Sequence, residues 1–297
     1  MVDLLTQEEV HEMLPKRPAA GHKGTFGHLF VLAGSRGFAG AVKLTCNAAM
    51  RSGVGLVTAG VPAPLADVLA AALVEPMLLP LPATEACTFS YQALEPIYDF
   101  IATKSAVVIG PGLSQHAETM HLVRRVVSEC SLPLLVDADG LNALSEKRAR
   151  LADRKTSAPD VVFTPHPGEM ARLTGLTTGE VQADRAAVAV NYAALWQVVV
   201  VLKGAGTVVA APDGRVRQCP TGNSGMGTGG SGDVLSGIIG ALLAQGIGAF
   251  DSACIGVYAH GLAGDIAARN KTERALIAGD IIDVLPDAWR EIEGAAS

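Results

Sequence analysis

The sequence predicts an α/β fold, a mostly parallel sheet covered by helices on both faces, with an antiparallel hairpin added late. Three observations carry that expectation. Short apolar runs alternate with helix-length segments over most of the chain. The runs are apolar at consecutive positions, as in strands buried on both faces. Two further strand-like segments, Thr207 to Ala211 and Arg215 to Cys219, flank Pro212-Asp213-Gly214, where proline presets φ and glycine accepts the left-handed position of a turn.

Taken in order, Thr6-Gln-Glu-Glu9 has the spacing of a capping box and opens a short surface helix. The expected strands are His28 to Ala33, Gly55 to Gly60, Ala106 to Gly110, Leu134 to Asp137, Val161 to Thr164 and Val198 to Lys203. The expected helices are Ala41 to Arg51, Ala63 to Leu73, Ala117 to Glu129, Gly179 to Leu195 and Val234 to Ala244. Gly21 to Gly27 and Pro80 to Pro82 read as loops, and beyond the hairpin the chain reads as helical to Glu293. With no fixed-period repeat and no linker rich in Pro, Gly or Ser, residues 1–297 are expected to form one domain.

Composition narrows the function. Of 297 residues, 49% are hydrophobic, enough for a substantial core and too many for a disordered chain. The net charge is -6, and no basic cluster is denser than Arg148, Arg150, Arg154 and Lys155. Nucleic acid is therefore a poor partner, since polyanion binding needs a concentrated basic face. Cys46, Cys87, Cys130, Cys219 and Cys254 are irregularly spaced and form no Cys-x-x-Cys pair. They read as reduced core thiols of a cytoplasmic protein. Val234 to Phe250 carries no charge, but four glycines and Gln245 interrupt it and it is too short for a membrane span.

The strongest chemical signal is Thr221-Gly-Asn-Ser-Gly-Met-Gly-Thr-Gly-Gly-Ser-Gly-Asp233, running into the apolar helix from Val234. Glycines at this density let backbone N–H groups converge, and the helix adds free N–H groups and its positive dipole end. A phosphate chain fits there. The segment is neither a dinucleotide-binding fingerprint, because a hairpin precedes it, nor a Walker loop, because no Lys follows the glycines. Asp233 is either a helix-capping acid or a general base beside the phosphates, and one residue can do both.

Other chemistry gathers at strand ends. Lys203 closes an apolar strand and is followed by Gly204, Ala205, Gly206 and Thr207. His166 and Glu169 follow another, in Thr164-Pro-His-Pro-Gly-Glu169, and lack the spacing of a zinc site. Gly110-Pro-Gly112 allows close backbone approach, while Asp137 and Asp139 are either water-mediated Mg²⁺ contacts or helix-capping acids. Phe30 to Ala41 is a strand, glycine loop and helix that can form a second cradle. In a sheet of this class such ends face one crevice.

Together, Lys203-Gly-Ala-Gly-Thr207, Gly227-Thr-Gly-Gly-Ser-Gly-Asp233, Thr164-Pro-His-Pro-Gly-Glu169, Val136-Asp-Ala-Asp-Gly-Leu-Asn142 and Gly110-Pro-Gly112 resemble the ADP/ATP-dependent NAD(P)H-hydrate dehydratases of the ribokinase-like superfamily. The resemblance spans roughly Lys23 to Pro286. It implies a three-layer sandwich and a lyase that repairs hydrated NADH or NADPH at the expense of ADP or ATP, with Mg²⁺ bridging the phosphates. By the same resemblance Asp233 is catalytic, activating the ring hydroxyl for phosphorylation, after which phosphate leaves. Nucleotide binding falls to Lys203, Gly204, Ala205, Gly206, Thr207, Gly229, Gly230 and Gly232. Ala41, Gly112, His166 and Asp233 contact the hydrate, and no residue is assigned as a direct metal ligand.

Sugar kinases of the superfamily usually carry Asn where His166 stands, which points to the dehydratase branch. Many dehydratases carry an N-terminal epimerase domain for which these residues have no room, so the epimerase is expected to be a separate protein and this chain to act on the S-epimer only. A homo-oligomer, with a tetramer as one form, is also implied. Two alternatives stand beside this reading: a small-alcohol kinase of the same superfamily, acting on a thiazole or pyrimidine alcohol, and a non-catalytic nucleotide sensor.

Overall fold

A computed structural model describes residues 2–145 and 160–294 of the chain. Among the described residues nine strands form one sheet in the order β3-β2-β1-β4-β5-β6-β7-β8-β9. They are β1 His28–Leu32, β2 Leu56–Pro62, β3 Met77–Leu81, β4 Ala106–Ile109, β5 Leu134–Val136, β6 Val161–Phe163, β7 Val199–Leu202, β8 Val208–Ala210 and β9 Val216–Gln218. Every pair from β3 to β7 is parallel, and β8 and β9 add the antiparallel hairpin that the Pro-Asp-Gly turn predicts. The outer edge of β9 is covered by the N-terminal segment, where Leu5 N–H donates to the Gln218 carbonyl at 2.9 Å.

The helices are α1 Gln7–Met13, α2 Ala39–Arg51, α3 Ala66–Ala70, α4 Leu94–Ile101, α5 Ala117–Glu129, α6 Asp139–Ser145, α7 Pro167–Thr174, α8 Thr178–Ala183, α9 Arg185–Trp196, α10 Ser231–Ala244, α11 Ala249–Asn270 and α12 Ala278–Ile292. Strand residues alternate between two cores. Leu29 and Val31 of β1 join Val108, Val162 and Val201 against α2, α10, α11 and α12. Phe30 and Leu32 join Val107, Val136, Phe163 and Leu202 against α4, α5, α7 and α9. Both faces are therefore dry, which is why the central strands read as unbroken apolar runs.

Three expectations need correction. Pro80, read as loop, lies within β3, an edge strand whose outer side has no ladder for its missing N–H to break. Gly179 to Leu195 is two helices, because Asp184 leaves helical geometry at φ -150° and caps α9 by accepting from Ala187 N–H. Ala63 to Leu73 is a single 3₁₀ turn followed by the short α3. The capping box at Thr6 is present. All five cysteines are buried, and none forms a disulfide among the described residues. The basic cluster Arg148, Arg150, Arg154 and Lys155 lies outside the described residues. Among the described residues no helix is long and apolar enough to cross a membrane.

The chain leaves β1 toward β2 and β3, then returns to β4 on the other side of β1. That reversal opens a crevice beyond the carboxyl ends of β1 and β4, where open α/β sheets bind ligands. Helix α10 lies directly on this part of the sheet: a Cβ on Gly240 would overlap Val108 Cγ2, and one on Gly237 would overlap the Thr45 carbonyl of α2. Close approach at two glycines one turn apart sets the N-terminus of α10 over the strand ends.

Candidate active site

A buried ion pair organises the strand ends. Asp137, directly after β5, is 1% exposed and accepts from Lys203 Nζ at 2.8 Å and from Ser236 Oγ of α10 at 2.7 Å. Lys203, directly after β7, also lies 3.8 Å from Glu169 Oε2. Burial opposes ionisation of Asp137, but Lys203 and the hydrogen bonds outweigh it and keep the carboxyl below its ordinary range. Burial likewise opposes the Lys203 charge, and Asp137 and Glu169 more than restore it. Glu169 has weaker support, and burial pushes its pKa up.

His166 is the N-cap of α7. Its Nδ1 accepts from Gly168 N–H at 3.0 Å and Glu169 N–H at 3.3 Å, while Glu169 Oε2 accepts from His166 N–H at 2.8 Å. Serving as acceptor fixes Nδ1 as unprotonated and leaves Nε2 to carry the proton of the neutral ring. Burial, then Lys203, keep the ring pKa below its usual value. The turn after β6 is thus a helix cap, with one edge of its imidazole held and the other turned out beside Glu169 at 3.5 Å.

The glycine loop arches over the ion pair. A Cβ on Gly232 would lie 3.5 Å from Lys203 Nζ and 3.8 Å from Asp137 Oδ2. Gly230 takes φ 91° as the N-cap of α10 and contributes no side chain to capping. Among the described residues, the N–H groups of Gly229, Gly230, Gly232 and Asp233 have no hydrogen-bond partner. They are the free donors expected at a helix start, and they occur together on one loop.

Asp233 is the unengaged carboxylate of the cluster, with no hydrogen bond or ion pair among the described residues. Burial, then the Asp137 charge, push its pKa up to about 7, with Lys203 opposing. An unpaired carboxyl that ionises near neutrality beside free amides is poised to take a proton from a hydroxyl.

The remaining expected residues fall around this cluster. Gly112, at φ 61°, packs against α2, and a Cβ there would sit 3.0 Å from Ala41 Cβ. Gly204, Ala205, Gly206 and Thr207 form the turn from β7 to β8 directly after Lys203. Asp139, the first residue of α6, ties that helix to the segment after β4, accepting from Ser114 N–H at 2.9 Å, and also accepts from Asn142 Nδ2 at 3.1 Å. Sequence reasoning missed Ser236, His260 and Arg185. Ser236 carries no local signal, since its partner lies 99 residues away. His260 of α11 is buried 3.3 Å from Ser231 Oγ, and burial lowers its pKa to about 4.

A sequence profile of the NAD(P)H-hydrate dehydratase family matches residues 29–287. The bifunctional NAD(P)H-hydrate repair enzyme Nnr of Moorella thermoacetica is 46% identical over 98% of the chain and 54% of its own length. The chain thus spans about half the length of the bifunctional relatives it matches. Among solved structures, the ADP/ATP-dependent NAD(P)H-hydrate dehydratase of Bacillus subtilis, co-crystallised with ATP/Mg²⁺, superposes with a TM-score of 0.85 at 34% identity, covering 98% of this chain and 99% of that one. A ribokinase-like superfamily protein of Enterococcus faecalis gives 0.80 at 26% identity, covering 98% and 96%. With the fold, the strand-end cluster and these matches in agreement, the chain belongs to the NAD(P)H-hydrate dehydratase family.

Proposed function

We propose that residues 1–297 act as one ribokinase-like domain that dehydrates the S-epimer of NADH or NADPH hydrate, using ADP or ATP to convert the ring hydroxyl into a phosphate leaving group. The observation that carries this reading is Asp233, an unpaired carboxyl with a pKa raised to about 7 at the start of a helix whose first amides are free. Asp233 takes the hydroxyl proton as the hydroxyl oxygen bonds to the terminal phosphorus and the nucleotide's P–O bond breaks. The ring C–O bond then breaks, phosphate departs with its electron pair, and loss of a neighbouring C–H proton forms the double bond. Water alone is a slow route because hydroxide leaves poorly.

The free amides of Gly229, Gly230 and Gly232 stabilise charge on the transferred group. Lys203, Gly204, Ala205, Gly206 and Thr207 hold the nucleotide, and Ala41, Gly112 and His166 line the hydrate side. The donor set suits a Mg²⁺ ion carried by the phosphates. Among the described residues no three His, Cys, Asp or Glu side chains group as a metal site, and both Asp137 oxygens are engaged. Asp233 and Glu169 would hold the waters of such an ion, which neutralises phosphate charge when bound. Co-crystallisation of the Bacillus dehydratase with ATP/Mg²⁺ supports Mg²⁺ as the ion that accompanies the nucleotide.

An epimerase that interconverts the two hydrates is the expected pathway partner. A homo-oligomer is supported by Val68 of α3, Val74 and Met77 of β3, large apolar side chains left exposed in one stretch of chain. The test is recovery of reduced-nicotinamide absorbance from hydrated cofactor with ADP, with ATP and without nucleotide. Nucleotide-dependent recovery is expected. A phosphorylated alcohol as stable end product would instead identify a kinase.

A further inference from the structure

The turn from β7 to β8 has a guanidinium laid across it. Arg185, the first residue of α9, donates through Nη2 to the carbonyls of both Ala205 and Gly206, the latter at 3.0 Å. A side chain at Gly204, which takes φ 147°, would collide with Nη1. Thr207 Oγ1 donates to the third carbonyl of the turn, that of Gly204, at 3.1 Å. Three successive carbonyls therefore have partners within the protein.

The amides of the same turn do not. Among the described residues the N–H groups of Gly204, Ala205, Gly206 and Thr207 have no hydrogen-bond partner. In a trans peptide the N–H points opposite to the preceding C=O. Fixing the Ala205 and Gly206 carbonyls on Arg185 therefore turns the Gly206 and Thr207 N–H groups to the other side of the turn. Gly206, at φ 65°, supplies the left-handed residue that lets neighbouring amides converge on an anion.

The charge balance agrees. Lys203, the cation that the family resemblance assigns to the nucleotide, is matched by Asp137 and Glu169. Arg185 has no carboxylate within 4.0 Å among the described residues. Its charge stands behind the turn uncancelled, where it favours an anion in front.

We infer that Arg185 is a positioning residue for the nucleotide: it locks the peptide planes at Ala205-Gly206-Thr207 so that their amides meet a phosphate of ADP or ATP. The inference rests on the proposed nucleotide role of this turn. A lysine can donate to both carbonyls and keeps the charge, whereas methionine keeps only the aliphatic stem.

Arg185→Met and Arg185→Lys are compared with the unaltered protein for ADP and, separately, NADH dissociation constants. Arg185→Met is expected to weaken ADP at least tenfold with NADH held within twofold, and Arg185→Lys to recover most of the loss. In the unaltered protein, ADP is expected to slow hydrogen exchange at the Gly206 and Thr207 amides, a readout that does not depend on either variant folding. ADP affinity within twofold in Arg185→Met, equal weakening of ADP and NADH, or unchanged exchange at those two amides on ADP binding would overturn the inference. Absence of ADP binding by the unaltered protein would instead remove the nucleotide reading on which it rests.

Discussion

Replacing Asp233 by Asn should make the protein both slower and more stable, because the same burial that would, on the proposed mechanism, prepare the carboxylate for proton abstraction penalises its charge. The folded pKa is about 7 against a reference of 3.8. The folded state therefore binds more protons than the unfolded state between those values, and the Asp233 contribution falls as pH rises through that window, then levels off above it. Integrating between the two pKa values, the penalty is roughly 1.5 kcal/mol at pH 5 and roughly 4 kcal/mol at pH 8.

Asparagine has no charge to desolvate. Asp233→Asn should thus gain roughly 2–3 kcal/mol relative to the parent on going from pH 5 to pH 8, while turnover falls about 10²–10⁴-fold. Urea denaturation of both proteins at the two pH values measures the first, and nucleotide-dependent recovery of reduced nicotinamide measures the second. Comparing the two proteins cancels the titration of every other group that Asp233 does not influence. Stability differences equal at pH 5 and pH 8 would refute the assignment of an unpaired, high-pKa carboxyl. Unchanged turnover would remove Asp233 from the chemistry.

Three further outcomes follow from the same cluster. In the parent, kcat/KM should rise with pH through about 7 as Asp233 ionises, and a pH–rate profile flat from pH 6 to 8 would contradict that. Asp137→Asn leaves Lys203 with only the more distant Glu169 and should cost about 3 kcal/mol, readable as a lowered urea midpoint. His166→Ala loses the α7 cap and should cost about 1 kcal/mol, whereas His166→Asn keeps a good capping side chain. A rise in KM for the hydrate in His166→Asn, at unchanged stability, is the outcome expected from the proposed substrate contact, and an unchanged KM would remove it.

Much of this was legible in the sequence, for physical reasons. The six central strands announce themselves because both faces are buried, leaving no polar alternation to obscure them. The free amides of the glycine loop could be anticipated because the first N–H groups of a helix lack partners wherever it begins, which is local chemistry. Strand β3 was missed because an edge strand tolerates Pro80 and partial exposure, so its pattern resembles a loop. The α7 cap was missed because histidine is an unusual N-cap, although Glu169 three residues on has capping-box spacing. Lys203 could be placed at a strand end, but not its partner 66 residues earlier. Arg185 is hidden in the same way, as its contacts lie 20 and 21 residues downstream across a strand.

Phosphorylation before elimination is tested most directly by following the oxygen atom. Hydrated cofactor labelled with ¹⁸O in the ring hydroxyl is turned over with unlabelled nucleotide, and the released phosphate is analysed by mass. Transfer of the phosphoryl group to that oxygen places the label in phosphate, one atom for each nicotinamide restored. Label recovered in water, with phosphate unlabelled, would mean that the ring oxygen never bonded to phosphorus.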